Sequence, residues 1–400
     1  EISKIDCICT PFEFDSNVMK QGKPMEINQN FDAGNISVIN CTDPSNIQLE
    51  IRRDNNSEFF QWFYFRLSGV KNEQCTLNIT NVKSAAYPPG FENYRVLYSY
   101  DRKEWYRHST NLKADVLSIV FTSKHDAVYF AYFIPYSMER HHDLISNALS
   151  HEHCSHETIG KTLDGQDMDL LRFSTADTNR KKNCWLIARQ HPGETMSEWW
   201  MEGCIEQLLD TTDSQTQRIL DKCNVFLIPN MNPDGSRRGH LRTNAAGNNL
   251  NREWQSPSLK GSPEVFFVKE KMSVTGVDFL LDVHGDEALP YCFIAGTEGL
   301  TGWSKSRQAQ LDFYKNRLAE VNTDFQTIKG YPSKAAGQAN MTMSTAQIAD
   351  LHDCLAMTLE MPFKDTTATP DEKYGWSTLR CKRLGHSCLK VMEEFIGHFL

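Results

Sequence analysis

Residues 183–200 read NCWLIARQHPGETMSEWW, and the fold of the chain depends on how this stretch is read. Residues 184–188 form a short apolar run with the length and flanks of a buried strand. The chain then turns through His191, Pro192, Gly193 and Glu194 and enters an expected helix over 197–209. A histidine and a carboxylate three residues apart on the turn after a strand can both reach one metal ion. Imidazole nitrogen and carboxylate oxygen are common zinc ligands in sites that keep a position open for water. Such a pair arises often by chance, so its meaning rests on what lies downstream.

Downstream, strands and helices alternate, which is the pattern of a mostly parallel sheet covered by helices. Strands are expected over 170–173, 184–188, 224–229, 277–283 and 355–359, and helices over 303–322 and 379–400. Asn232-Pro233-Asp234-Gly235 is a dense turn signal. His191, Glu194, His284 and Glu360 each follow an apolar strand-like run. Binding sites of open parallel sheets lie beyond the carboxyl ends of the strands, so these four distant groups can meet at one edge. Two histidines and a glutamate plus water are a recurrent catalytic zinc set. Hydrolysis also needs a base for the attacking water, and Glu360 is the candidate. Between the candidate ligands lie Arg237, Arg238, Arg242 and Arg252 with Asn248, Asn249 and Asn251. An arginine fork grips a carboxylate with two parallel bonds, and an arginine near the metal can stabilise an oxyanion.

Upstream, residues 1–120 read as β. Runs 47–51, 59–67 and 75–80, then 127–133, are separated by turn clusters at 53–56, 70–72 and 87–90. Short strands at this spacing suggest an antiparallel sandwich. No cluster of catalytic groups accompanies them, so the module reads as one for folding and docking. A helix is expected over 137–149. The crowded His151, His153, Cys154 and His156 read as a solvated connecting segment, because no strand or turn signal flanks them. The expected division is a β-sandwich domain, 1–150, and a catalytic domain, 151–400.

At 400 residues the chain is long enough for two or three domains. No run approaches the roughly 18 apolar residues of a membrane span. The net charge of −9 comes without a basic stripe, which speaks against nucleic acid as a partner. The twelve cysteines are scattered without a Cys-x-x-Cys pair, and several sit in apolar runs. That usage points to a reducing, cytoplasmic compartment.

The ordered series HPGE (191–194), NPDG (232–235), HLR (240–242), NLNREW (249–254), DVHGDE (282–287) and TLEMPF (358–363) resembles the zinc metallocarboxypeptidases related to carboxypeptidase A. The β-rich start and FAYFIPYSMERHHDLI (130–145) are similar to the bacterial type of the cytosolic carboxypeptidase branch. The resemblance covers nearly the whole chain. It implies a mixed α/β sheet of eight strands flanked by helices, preceded by an all-β antiparallel sandwich. It implies one zinc ion on His191, Glu194 and His284, with Glu360 activating the zinc-bound water and shuttling its proton. Arg242 would polarise the scissile carbonyl, and Asn251 and Arg252 would hold the terminal carboxylate of peptide or protein substrates. Two readings stand beside it: a zinc amide hydrolase of the aminoacylase type acting on small N-acyl amino acids, and a catalytically silent peptide-binding protein.

The chain departs from the family pattern in three places. Asn249 stands where many relatives carry an aspartate behind a zinc histidine; its carbonyl can still accept the imidazole proton, and Asp282 is a further candidate partner. Gly337 falls where a substrate-capping tyrosine is expected, with Tyr331 and Tyr291 nearby and neither assigned. Residues 335–359 hold no lysine or arginine, which leaves a preference for acidic C-terminal side chains unsupported.

Overall fold

The computed structural model describes residues 24–175 and 181–400. Cys7 and Cys9, two of the twelve cysteines, lie outside them. The first part is two packed sheets. In chain order its strands are β1 (Glu26–Asn28), β2 (Ser37–Asn40), β3 (Ile47–Glu50), β4 (Tyr64–Ser68) and β5 (Gln74–Ile79). They continue as β6 (Arg95–Ser99), β7 (Tyr106–Ser109), β8 (Asn111–Lys113), β9 (Val116–Thr122) and β10 (Ala127–Ala131). One sheet runs β1-β4-β10-β6-β7 and the other β2-β3-β5-β9-β8. Alternation supplies the packing: Phe121 of β9 meets Phe130 of β10 edge-to-face at 5.2 Å, across the gap between the sheets. The expected sandwich is present, with one correction. β3 and β5 pair in parallel, because the long connection between them carries the chain across to β4 in the opposite sheet.

The aromatic run 59–67 is a ladder strand only from Tyr64 onward. Its first half, 59–63, lies outside the ladder, and Phe59 faces Arg242 of the second part. Helix α1 (Met138–Leu149) follows, with Ser137 as N-cap accepting from Arg140 N at 3.2 Å.

The second part begins with β11 (Cys154–Lys161) and β12 (Asp167–Phe173), then β13 (Lys182–Ala188), α2 (Thr195–Leu209), α3 (Ser214–Lys222), β14 (Cys223–Ile228) and α4 (Pro233–Arg238). It continues with α5 (Pro263–Thr275), β15 (Phe279–Asp286), β16 (Phe293–Ala295), α6 (Lys305–Val321), α7 (Ser344–His352), β17 (Leu355–Pro362) and α8 (Thr378–Phe399). The sheet order is β11-β12-β14-β13-β15-β17-β16. Its centre, β14-β13-β15-β17, is parallel, and the flanking strands are antiparallel. The expectation of eight strands is corrected to seven among the described residues. Beyond β16 only a single bridge, Cys292–Phe325, forms where a further strand would pair.

Two local expectations are also corrected. The histidine-rich segment at 151–156 is solvated and 151–153 connect α1 to the sheet, but from Cys154 it is edge strand β11 rather than connector, and His156 Nε2 lies 2.7 Å from Asp169 Oδ1. Asn232-Pro233-Asp234-Gly235 is the start of α4: Asn232 caps it by accepting from Gly235 N at 3.1 Å, and proline occupies the first turn.

The two parts share one apolar core, which runs from Ile36 and Phe63 through Tyr132 to Leu186 and Phe363. Arg107 of β7 is buried at the seam and donates to Phe363 O at 2.7 Å and Lys364 O at 2.8 Å. A second buried charge cluster ties α1 to the sheet. His141 Nδ1 lies 2.7 Å from Glu198 Oε1, and its Nε2 lies 3.1 Å from Asp169 Oδ2. Burial disfavours the imidazolium, but the two carboxylates outweigh it and push His141 up to about 9. The folded pKa exceeds the unfolded one, so this contribution is complete below about pH 6.5 and is lost as pH rises through 9. It amounts to roughly 3 kcal/mol. The thermal midpoint of the wild type should therefore fall between pH 6.5 and 9 more steeply than that of His141→Gln. Equal slopes would remove His141 as the cause.

Candidate active site

The site begins at the end of β13. Arg189, next in the chain, adopts a left-handed backbone (φ 60°) that only a fixed environment sustains in a non-glycine residue. Its buried guanidinium supplies that environment, donating to Pro192 O at 3.0 Å, Tyr136 O at 3.0 Å and Glu198 Oε2 at 2.6 Å. The turn so held presents His191, and Glu194 follows at the head of α2. His284 lies within β15 and Glu360 within β17, and parallel pairing sets the two directly across from each other.

The expected donors come together. His191 Nδ1 lies 2.7 Å from Glu194 Oε1, His284 Nδ1 lies 2.9 Å from Glu194 Oε2, and the two Nδ1 atoms are 3.1 Å apart. All three residues are buried, and among the described residues they form the one such cluster of possible metal ligands. Gly285 N donates to Glu194 Oε2 at 3.1 Å, and a Cβ on Gly285 would come within 2.4 Å of Met196 Sδ. Burial alone would raise the Glu194 carboxyl, yet the His191 and His284 imidazoles hold it well below the carboxylate range. Burial and the Arg242 charge push His191 down to about 4. His284 moves up in spite of its burial, because Asp282 and Glu194 face it. Such a donor set fits a zinc ion, and Asp, His and Glu side chains behind and within it are its usual company.

Behind the ligands, His191 Nε2 lies 3.0 Å from Asn249 Oδ1, and His284 Nε2 lies 3.0 Å from Asp282 Oδ2. Asn249 and Asp282 therefore serve different histidines rather than replacing one another. Asp282 Oδ2 also accepts from Gln190 Nε2 at 2.6 Å and from Ser344 Oγ. The charged partner backs His284 and the uncharged one backs His191.

A cavity of about 700 Å³ opens on this cluster and is lined by Glu360, Arg242, Asn251 and Arg252 as well as by the three donors. Glu360 Oε2 and Arg242 Nε are buried and, among the described residues, find no hydrogen-bond partner. Burial, with Glu194, Asp286 and Glu287 close by, raises Glu360 well above the carboxylate range against the pull of His284; a divalent cation on the donors acts in the same sense as His284. Asn251 is anchored by Ser344 N, which donates to its Oδ1 at 3.0 Å, and its Nδ2 lies 3.4 Å from His284 Nε2.

Three features were not assigned from sequence. The Tyr331 hydroxyl donates to Asp286 Oδ2 at 2.6 Å and lies 3.3 Å from Glu360 Oε1, whereas Tyr291 does not line the cavity. Lys315 of α6 and Lys334 line the cavity from outside the 335–359 window, together with Glu298. Tyr87 reaches the cavity from the first part of the chain, which corrects the reading of that part as a folding and docking module alone. A tyrosine in a proline-glycine turn carries no sequence signal for this; only the seam between the two parts brings it there.

A buried His-Glu-His donor set at the carboxyl edge of a mixed sheet, with an unpartnered carboxylate and arginines around one cavity, defines a zinc hydrolase of the peptidase type. Comparison with known proteins gives the family. The profile of the cytosolic carboxypeptidase N-terminal domain matches residues 27–133, and that of zinc carboxypeptidase matches 145–269. An uncharacterised protein of Zymomonas mobilis is 48% identical over 372 residues, 93% of this chain and 97% of its own length. The crystal structure of a metallo-carboxypeptidase from Burkholderia cenocepacia aligns with a TM-score of 0.92 at 40% identity, covering 94% of this chain and 100% of that one. A metallo-carboxypeptidase from Pseudomonas aeruginosa in complex with (2-guanidinoethylmercapto)succinic acid aligns at 0.91 and 41% identity, covering 93% and 99%. The chain belongs to the zinc carboxypeptidases that carry a cytosolic carboxypeptidase N-terminal domain. It is a zinc-dependent hydrolase of C-terminal peptide bonds, and the amide-hydrolase and silent-binder readings are not favoured. Among the described residues no helix is long and apolar enough to cross a membrane.

Proposed function

We propose that this carboxypeptidase holds zinc on His191, Glu194 and His284 and works with Glu360, Arg242, Asn251 and Arg252. The convergence of the three donors with Glu360 and the arginines on one cavity carries this reading. Zinc held there supplies Lewis acidity to the scissile carbonyl and to the attacking water. Glu360 takes the proton of that water on its unpartnered Oε2 and passes it to the leaving amine nitrogen, while Tyr331 steadies Oε1. Arg242 meets the carbonyl oxygen as negative charge develops on it. Arg252 forks the terminal carboxylate and Asn251 adds a directional bond, which restricts cleavage to the last residue of peptides and proteins. The dicarboxylate carried by the Pseudomonas relative fits an arginine-lined site of this kind.

The division of labour follows the chain: a sandwich domain, 1–150, and a catalytic domain, 151–400. A cytoplasmic setting is supported by free thiols such as Cys184, Cys204 and Cys292 buried in the core. A net charge of −9 supports peptide rather than nucleic-acid or membrane partners.

A peptide library with varied C-terminal residues, read by mass spectrometry, tests the reading. Single residues should leave free C-termini, and amidated copies should be trimmed far more slowly. Arg252→Ala should lower kcat/KM on free-carboxylate peptides by on the order of 100-fold, the worth of a charge-assisted bidentate contact of about 3 kcal/mol, and leave residual cleavage of amidated peptides unchanged. Equal losses on both would remove Arg252 as the carboxylate clamp.

A further inference from the structure

The loop that carries Arg242 is held from the sandwich. Asp54, in the turn between β3 and β4, is buried, and its carboxylate accepts from Leu241 N at 2.7 Å, Arg242 N at 2.8 Å, Thr243 N at 2.9 Å and Thr243 Oγ1 at 3.1 Å. Three successive amides converging on one carboxylate form an anion nest, and no helix or ladder otherwise satisfies them. Neighbouring contacts repeat the pattern: Asn35 Nδ2 donates to Gly239 O at 2.7 Å, and Ala33 N donates to Arg237 O at 3.0 Å. Gly239 is left-handed (φ 71°), and a Cβ there would come within 2.7 Å of Ala33 O, so the approach needs glycine.

The same turn shapes the surroundings of the guanidinium. Asp54 N donates to Phe59 O at 2.9 Å, and the Phe59 ring centre lies 5.6 Å from the guanidinium carbon of Arg242. The Tyr87 ring centre lies 5.4 Å from it. Among the described residues no side chain or carbonyl accepts a hydrogen bond from this guanidinium, and Nε is buried without a partner. Its position is therefore set by its backbone anchor and by two rings. Leu241 O also accepts from Gly193 N at 2.9 Å, so the anchored loop abuts the turn of His191 and Glu194.

We propose that Asp54 is a positioning residue of the reaction: by pinning the backbone of residues 241–243, with Phe59 and Tyr87 flanking the side chain, it aims the Arg242 guanidinium at the scissile carbonyl. The sandwich is then part of the active site. Asp54 does not line the cavity, so its role runs through Arg242, and the inference rests on the reading of Arg242 as the carbonyl-polarising group. Asp54→Asn keeps the shape and one accepting oxygen but loses the charge and the contacts of the other oxygen.

The test uses the full-length, zinc-loaded enzyme and the library peptide that wild type trims fastest. Asp54→Asn, Arg242→Ala and the double variant are compared for kcat, KM, zinc content and thermal midpoint. Displacing a reacting group by about 1 Å costs on the order of 100-fold, so Asp54→Asn is expected to lower kcat by about 10- to 100-fold with KM within about threefold. Its zinc content should be unchanged, and the double variant should be no slower than Arg242→Ala. Wild-type kcat in Asp54→Asn beside an inactive Arg242→Ala sinks the positioning role and leaves the Arg242 reading intact. Multiplied losses in the double variant, or loss of zinc in proportion to activity, also overturn it. Wild-type kcat in Arg242→Ala removes the Arg242 reading and this inference with it. Should Asp54→Asn fail to fold, Phe59→Leu leaves the nest in place and removes one ring. A kcat loss of about fivefold, absent on the Arg242→Ala background, supports the role, and no loss overturns it.

Discussion

Glu360→Gln is expected to lower kcat by about 1,000-fold while zinc content and thermal midpoint stay near wild type. Glutamine matches the glutamate in shape and can keep the contact with the Tyr331 hydroxyl, which lies 3.3 Å from Oε1. It cannot take a proton from water or return one to the leaving amine. The carboxylate belongs to none of the close contacts among His191, Glu194 and His284, so its loss should leave the metal in place. Its Oε2 is buried with no partner among the described residues, which in a folded interior marks a group kept for a ligand. Metal analysis beside single-turnover kinetics separates the outcomes. Retained turnover removes Glu360 from proton transfer, and lost zinc assigns it to metal binding instead.

Removal of zinc by a strong chelator should abolish hydrolysis and lower the thermal midpoint, with both restored on adding zinc back. The stability effect follows from the site itself. Two imidazole nitrogens 3.1 Å apart share one carboxylate in a buried pocket, so a bound cation relieves an electrostatic conflict that folding creates. A ligand that binds only the folded state stabilises it by about 4 kcal/mol at 1,000 times its Kd. A melting curve measured with and without chelator reads this directly. Full activity in protein that metal analysis finds free of zinc would overturn the zinc requirement.

Much of the catalytic half was legible in the sequence because its strands are buried on both faces. Central parallel strands read as unbroken apolar runs, as in 184–188 and 355–359, and the groups that follow such runs must emerge at one sheet edge. Hence His191, Glu194, His284 and Glu360 could be gathered before their coordinates were known. The edges were less legible. β11 is an exposed, histidine-bearing strand that pairs on one side only, and it lacks the apolar signal that marks the centre. β16 is three residues long and borrows its order from β17.

The second layer of the site divides in the same way. Asp282 was a candidate partner from its motif, and it lies two residues before His284 on the same face of one strand; that it backs this histidine rather than His191 is seen only in the fold. Asn249 likewise stood two residues from Asn251, within the motif. Tyr331, Lys315 and Tyr87 reach the cavity from a loop, a helix and the other half of the chain, and no spacing connects them to the ligands.

The sequence by itself placed His191, Glu194, His284 and Glu360 on one sheet edge, since each follows an apolar strand-like run written in residue type and local periodicity. Only the tertiary structure decided which partner backs which histidine, and that Asp54 of the sandwich grips the loop of Arg242. Those contacts span up to 189 residues of chain, and a hydrogen bond between such distant groups leaves no periodic trace in either segment. It exists only because the two parts bury one continuous core against each other.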